Sequence, residues 1–362
     1  MRLLHVCPRF YPEVGGVENV VYNISSRLAK RGHRNHIITT TRDKSLVGIE
    51  ELFPNLTIER ILAFAPGNAY WYSSKVGKRV KDIALDFDII HGHSYHAFPA
   101  LQAFSNKKEA GFVLSTYYHG LSHSKFRNFL LGPYKLFTRK MVRGSDAVIC
   151  ISNAEKELLE NDFAPRNCRV IHVGTKIPDE SKWIIGGKNV VMIGRLERYK
   201  NFHHGINAIS KIENTNMEIV GTGPERGNLE KLANSLGISN RVTFHGRLED
   251  EQRDRLLKSS LCLLSLSDYE SFGIVLIEAI KLGIPAIASD VPSHREIAET
   301  LEVGVTLVDQ HNPLEISSAI ESQLGIHEIS DVPKIQRFSW DYLIDEYIGI
   351  YETVIHQRVK SA

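Results

Sequence analysis

The 362 residues are 43% hydrophobic and 24% charged, the balance of a soluble globular protein, and the length suits two domains better than one core. No run approaches the roughly 18 apolar residues of a membrane span, and the opening MRLLHVCPRFYP is too short an apolar stretch for a signal peptide. The formal net charge of +2 hides an asymmetry, because residues 1–172 carry 24 Lys+Arg against 15 Asp+Glu and the remainder carry 20 against 27. A basic half is either solvated surface or a face turned toward an anionic partner.

In chain order, RLLHVC reads as a first strand. In GVENVVYNISSRLAKRG, residues Val17, Val20, Val21, Ile24 and Leu28 recur at helical spacing, and Gly32 stops the helix. NHIITTT, DIIHGH, GFVLSTYY, DAVICIS and CRVIHVG read as further strands, most of them followed by a helical stretch. The segment from about Gly174 to Gly187, rich in turn residues, reads as a hinge. Beyond it NVVMIG, MEIVG, RVTFHG, LCLLSLS, PAIASD and VGVTLV alternate with helices. Repeated βα units predict an α/β fold with parallel sheets covered on both faces, in two doubly wound domains facing a central cleft. The expected division is residues 1–173, a hinge at 174–187 and a second domain at 188–340. Cys7, Cys150, Cys168 and Cys262 lie in apolar stretches without CxxC spacing, which predicts buried, reduced thiols and a cytoplasmic setting.

In doubly wound sheets ligands bind beyond the carboxyl ends of the strands, so motifs there carry weight. After LCLLSLS comes DYESFGIVLIEA, with Glu270 in the loop and Glu278 inside the following helix. Between them Phe272, Gly273, Ile274 and Val275 occupy the helix start, where backbone N–H groups lack internal partners and attract phosphate or sugar oxygens. Two flanking carboxylates suit a ligand that also carries hydroxyls. After NVVMIG comes GRLERYKNF, in which Arg195 and Lys200 would neutralise a diphosphate. Gly15 and Gly16 in EVGGVENV allow close approach of a phosphate to the backbone or simply make a tight turn. VGTGPER imitates a dinucleotide fingerprint, but Arg226 stands where a third glycine is needed, and Pro224 reads as a first-turn helix residue. The histidines His91, His93 and His96 lack a carboxylate or cysteine at ligand spacing, so no metal is expected there. Asp86 and Asp88 in DFD precede their strand, on the wrong side for a site.

Together ESFGIVLIE, GRLERYKN, VGTGPE, the N-terminal GG and ISN (Ile151 to Asn153) resemble the family 4 retaining glycosyltransferases, whose GT-B fold has two Rossmann-like domains. The likeness runs over essentially the whole chain. It implies a transferase moving a hexose from a UDP- or GDP-sugar to a lipid, lipid-linked or saccharide acceptor, with retained configuration and no metal or other cofactor. The resemblance gives Arg195 and Lys200 the nucleotide diphosphate, Glu270 and the amides of Phe272, Gly273, Ile274 and Val275 the donor sugar, and Glu278 the ribose. It lays Gly16 against the phosphate, puts His119 near the reactive carbon, and sets Arg247 beside the loop that holds the base. Catalysis would thus rest on His119, Glu270, Arg195 and Lys200. The first domain would bind the acceptor, and the last helix, about 341–362, would cross back onto it.

KFRNFLLGPYKLFTRKMVR, Lys125 to Arg143, has six basic residues and no acidic ones among its apolar side chains, with Gly132 and Pro133 interrupting the stripe. YWYSSKVGKRVK, Tyr70 to Lys81, has a similar character. Both suit an anionic membrane surface, which makes the cytoplasmic membrane face a candidate location. A GT-B phosphorylase, a sugar-nucleotide epimerase and a non-catalytic sugar-nucleotide binder are the alternative readings. No nucleic-acid-binding module is recognisable.

Overall fold

The computed structural model describes residues 1–13, 15–65, 71–118, 125–177, 187–324 and 332–361. The chain forms two compact units, Met1–Gly174 with Trp340–Ala362, and Thr175–Ser339.

The first unit is built on strands β1 (Arg2–Val6), β2 (Arg34–Thr41), β3 (Gly48–Phe53), β4 (Leu56–Leu62), β5 (Ile89–His93), β6 (Gly111–Ser115), β7 (Ala147–Cys150) and β8 (Cys168–Val170). They lie in the order β3-β4-β2-β1-β5-β6-β7-β8. Leu3, Leu4, Val6, Ile89 and Ile90 are wholly buried, as strands sandwiched between helices must be. One pairing departs from the parallel pattern expected above: β3 runs antiparallel to β4 at the sheet edge. The strand order reverses between β1 and β5, the position where doubly wound sheets take ligands beyond their strands' carboxyl ends.

Helix α1 (Gly16–Lys30) follows β1 and buries Val20, Val21, Ile24 and Leu28, the helical stripe read from the sequence. Helices α2 (Ser74–Ile83), α3 (Phe98–Asn106), α4 (Lys125–Gly144) and α5 (Asn153–Phe163) complete the layers. Helix α4 runs unbroken through Gly132 and Pro133. Asp88 has a structural duty, accepting from the Arg2 backbone N at 2.7 Å and from its Nη2 at 2.7 Å.

The last helix, labelled α12 (Trp340–Ser361), belongs to the first unit. It buries Leu343, Ile344, Tyr347, Tyr351 and Val354, each large apolar side chain contributing roughly 1.5–3 kcal/mol. Its approach needs Gly111, where a Cβ would come within 2.7 Å of Val354. Arg358 Nη1 then pairs with Asp146 at 3.2 Å.

The second unit contains β9 (Asn189–Ile193), β10 (Asn216–Val220), β11 (Val242–Gly246), β12 (Cys262–Ser265), β13 (Ala286–Ser289) and β14 (Val305–Val308), all parallel, in the order β11-β10-β9-β12-β13-β14. This is the dinucleotide-fold order, and its reversal falls between β9 and β12. Helices α6 (Phe202–Ile209), α7 (Arg226–Ser235), α8 (Asp250–Lys258), α9 (Ile274–Ile280), α10 (Pro292–Leu301) and α11 (Pro313–Ser322) cover its faces. Among the described residues, no helix is long and apolar enough to cross a membrane.

Candidate active site

The loops leaving β9 and β12 flank the reversal point of the second sheet, and they carry Arg195, Lys200 and Glu270. They are laced together residue by residue. Tyr199 O accepts from Asp268 N at 2.8 Å, and the rings of Tyr199 and Tyr269 stack at 4.3 Å. Lys200 Nζ donates to Glu270 Oε2 in an ion pair whose side chains are 17% and 20% exposed. Asn201, in the left-handed region at φ 54°, donates from Nδ2 to Leu266 O at 2.9 Å and to Asp268 Oδ1 at 2.6 Å. Asn201 was not picked out in the sequence, because its partners lie over sixty residues away. Lys200 itself closes a short 3-10 turn, Arg198–Lys200, just ahead of α6.

Arg195 is 66% exposed, with Glu197 Oε1 3.7 Å from its Nη1. Its loop is placed by glycines of the VGTG segment. Gly194 N donates to Val220 O at 3.0 Å and Leu196 N to Thr222 O at 3.0 Å, so the loops leaving β9 and β10 run side by side. A Cβ on Gly221 would stand 1.8 Å from Gly194 O, and one on Gly223 would stand 2.5 Å from Leu196 O. These glycines therefore serve loop packing. Pro224 lies in the turn before α7, not in its first turn, a correction to the sequence reading.

Glu270 is anchored through its backbone, whose carbonyl accepts from Ser293 Oγ at 2.8 Å. Phe272 is buried, and Ile274 and Val275 are half-buried in the first turn of α9. Gly273 caps that helix at φ 92°, and a Cβ there would meet His294 at 2.8 Å, so a glycine is required on both counts. His294 is wholly buried, with Nδ1 3.1 Å from Ser289 O, and burial lowers its pKa.

Glu278 lies in the second turn of α9, and Arg253 Nη2 of α8 stands 3.2 Å from its Oε1. Burial pushes the Glu278 carboxyl up, while the charges of Arg253 and Lys281 pull the other way. Arg253 was missed in the sequence, where it reads as one basic residue of an exposed, charged helix. Arg247, after β11, is exposed.

In the first unit Gly15 caps α1 and Gly16 begins it. Glu18 is buried, pairs with Arg9 Nε at 2.9 Å, and puts its carboxylate 2.4 Å from where a Gly15 Cβ would be. An acid thus already faces this turn, and burial raises its pKa. His119 lies outside the described residues, but the strand end before it is held by a second buried acid missed above. Glu155 Oε1 accepts from Thr116 Oγ1 at 2.5 Å and from Tyr118 N, and its Oε2 accepts from Ile151 N at 2.7 Å. The ISN segment is therefore part of this clamp, with Ser152 capping α5.

Of the histidines weighed for a metal, His96 stands apart, its ring stacked near Tyr118 and Tyr134, whereas His5 joins His91 and His93 in a buried trio. His5 Nε2 and Nδ1 reach Asn35 Oδ1 at 3.3 Å and His93 Nε2 at 3.1 Å. His91 bonds Tyr351 Oη at 2.8 Å and Ser115 Oγ at 2.9 Å. With five ring nitrogens so engaged, the trio reads as a neutral hydrogen-bonded core, and burial lowers all three pKa values.

The architecture and the loop constellation define a GT-B protein. Residues 175–329 match Glycosyl transferases group 1 and residues 14–177 match Glycosyltransferase Family 4. The chain belongs to the family 4 glycosyltransferases. It is 25% identical to the O-antigen chain mannosyltransferase C of Escherichia coli, over 99% of this chain and 100% of that one. It is 22% identical to the GDP-mannose:cellobiosyl-diphosphopolyprenol alpha-mannosyltransferase of Xanthomonas oryzae pv. oryzae, over the whole of both. Among solved structures, sucrose-phosphate synthase from Thermosynechococcus elongatus shares the fold with a TM-score of 0.76 and 18% identity, over 98% of this chain and 99% of that one.

Proposed function

We propose that the protein transfers a hexose from a UDP- or GDP-sugar to a lipid-linked or saccharide acceptor, retaining the anomeric configuration and needing no metal. The observation that carries this reading is the Lys200–Glu270 ion pair at the reversal point of the second sheet. It is a neutral contact poised for exchange. An arriving diphosphate competes for the Lys200 ammonium, and the released Glu270 carboxylate then accepts from the donor sugar's hydroxyls. Exposed Arg195 adds a guanidinium fork for the phosphates, and Glu278, oriented by Arg253, accepts from the ribose. The amides of Phe272, Gly273, Ile274 and Val275 face the sugar, and Arg247 lies by the base. Gly16 and His119 keep the roles the family resemblance implies, against the diphosphate and near the reactive carbon.

In same-face substitution the acceptor oxygen bonds to the anomeric carbon as the bond from that carbon to the diphosphate breaks. The departing diphosphate oxygen takes the acceptor's proton. Lys200 and Arg195 neutralise the charge that grows on the leaving group, stabilising the transition state more than the ground state.

The names of the two relatives support a hexose donor, and that of the Xanthomonas enzyme a lipid-linked acceptor. Leu136 and Phe137, 72% and 77% exposed among Lys135, Arg139 and Lys140, support contact with an anionic membrane. The test is a thermal-shift panel of nucleotide sugars, followed by assay of nucleoside diphosphate release with and without polyprenyl-diphosphate-linked saccharides. A matching donor raises the melting temperature, and release depends on the acceptor. Donor-independent melting, or release that ignores every acceptor, refutes the reading.

A further inference from the structure

Away from the site just described, β7 and β8 bring two thiols into contact. Cys150 Sγ and Cys168 Sγ lie 3.4 Å apart, on cysteines 18 residues distant in sequence. Val148 stands opposite Cys168, and Cys150 opposite Val170, so both cysteines project from the same face of neighbouring strands, one pleat apart. A disulfide needs a sulfur separation of about 2.0 Å, so closure asks for a movement of about 1.4 Å.

The two thiols are not equivalent. Cys150 is wholly enclosed, whereas Cys168 is 8% exposed and sits on β8, a three-residue strand at the sheet edge. The contact with Cys150 holds the Cys168 thiol below its usual range, aided by the Lys156 ammonium, while the same contact and burial push Cys150 up. Cys168 is therefore the natural nucleophile, and Cys150 the thiol poised to resolve it.

We propose that Cys150 and Cys168 form a reactive dithiol that a hydroperoxide converts into an intrachain disulfide. The Cys168 thiolate attacks one peroxide oxygen, the O–O bond breaks, and a sulfenic acid forms as the other oxygen leaves and is protonated. The Cys150 sulfur then attacks the sulfenic sulfur. The S–S bond forms, the S–O bond breaks, and the oxygen departs as water with the Cys150 proton. Two thiols lose two electrons together, and one peroxide gains them. Closure draws Cys150 toward the sheet edge, away from Thr116 Oγ1, which lies 3.8 Å from its sulfur and donates to Glu155.

The experiment treats the reduced, desalted full chain with hydrogen peroxide in native buffer and reads thiol count, intact mass and a non-reducing peptide map. The expected result is loss of two of the four thiols, a mass lower by about 2 Da, and a cross-link joining the Cys150 and Cys168 peptides, reversed by dithiothreitol. C150S accumulates a Cys168 sulfenic acid that dimedone traps, and C168S forms no bridge. A cross-link through Cys7 or Cys262, stepwise oxygen addition without a bridge, or a bridge that appears only in urea overturns the proposal. None of these readouts depends on glycosyl transfer.

Discussion

Replacing Glu155 by glutamine probes a competition inside the first unit whose winner can be measured. The carboxylate is only 3% exposed and accepts three hydrogen bonds, from Thr116, Tyr118 and Ile151, which favour its charged form. Burial opposes them and prevails, raising the pKa from 4.5 to about 7. A raised carboxyl pKa means the folded chain holds a proton that the unfolded chain releases, so its contribution to stability is full below pH about 4.5 and is lost as pH rises through about 7. At about 1.4 kcal/mol per unit, the loss amounts to about 3 kcal/mol. Glutamine does not titrate. Its amide sets a donor against the Ile151 N–H, which costs about 1–3 kcal/mol at every pH. Urea unfolding of both proteins from pH 4.5 to pH 8, taken as a difference, cancels the other titrating groups. Wild type should lose about 3 kcal/mol relative to E155Q across that range. A flat difference, or a wild type that gains with pH, would refute the reasoning, since the hydrogen bonds would then outweigh burial.

At the ion pair, K200A and E270A should each lower kcat/KM roughly 10²–10³-fold, measured as acceptor-dependent nucleotide release. Because the pair is partly exposed, unfolding stability should change by only about 1 kcal/mol. The double variant should lose less than the product of the single losses, and full multiplicativity would show that the two side chains act separately. R253A leaves Glu278 without its guanidinium partner and should raise donor KM about tenfold with little change in kcat, in steady-state assays. G221A forces a Cβ to 1.8 Å from Gly194 O at φ 137° and should cost about 3 kcal/mol or more in urea unfolding. A stable G221A protein would show that the β9 and β10 loops do not need to run side by side.

Much of the fold was legible because βα periodicity is local. On α1 the stripe from Val20 to Leu28 is buried and Val17 half-buried, and the apolar strand runs became β1, β2 and β5 to β14. The β3–β4 hairpin escaped notice because β3 is exposed over Gly48–Glu51 and offers no buried run to read. At the site, the positions of Arg195, Lys200 and Glu270 after strands were legible, while their supports were not. Asn201 bonds across to Asp268, Arg253 to Glu278, and Ser293 to the Glu270 carbonyl, and none of these pairs leaves a mark at fixed sequence spacing.

Composition and periodicity alone were enough to specify a doubly wound chain with charged residues at strand ends, since both depend on each segment's own apolar pattern. Tertiary structure decided which charges meet, which glycines are obligatory because another backbone passes close by, and which acids and thiols are buried together. Those outcomes depend on strand order and register, which bring residues 18 to 70 positions apart into contact, as Cys150 with Cys168 and Lys200 with Glu270.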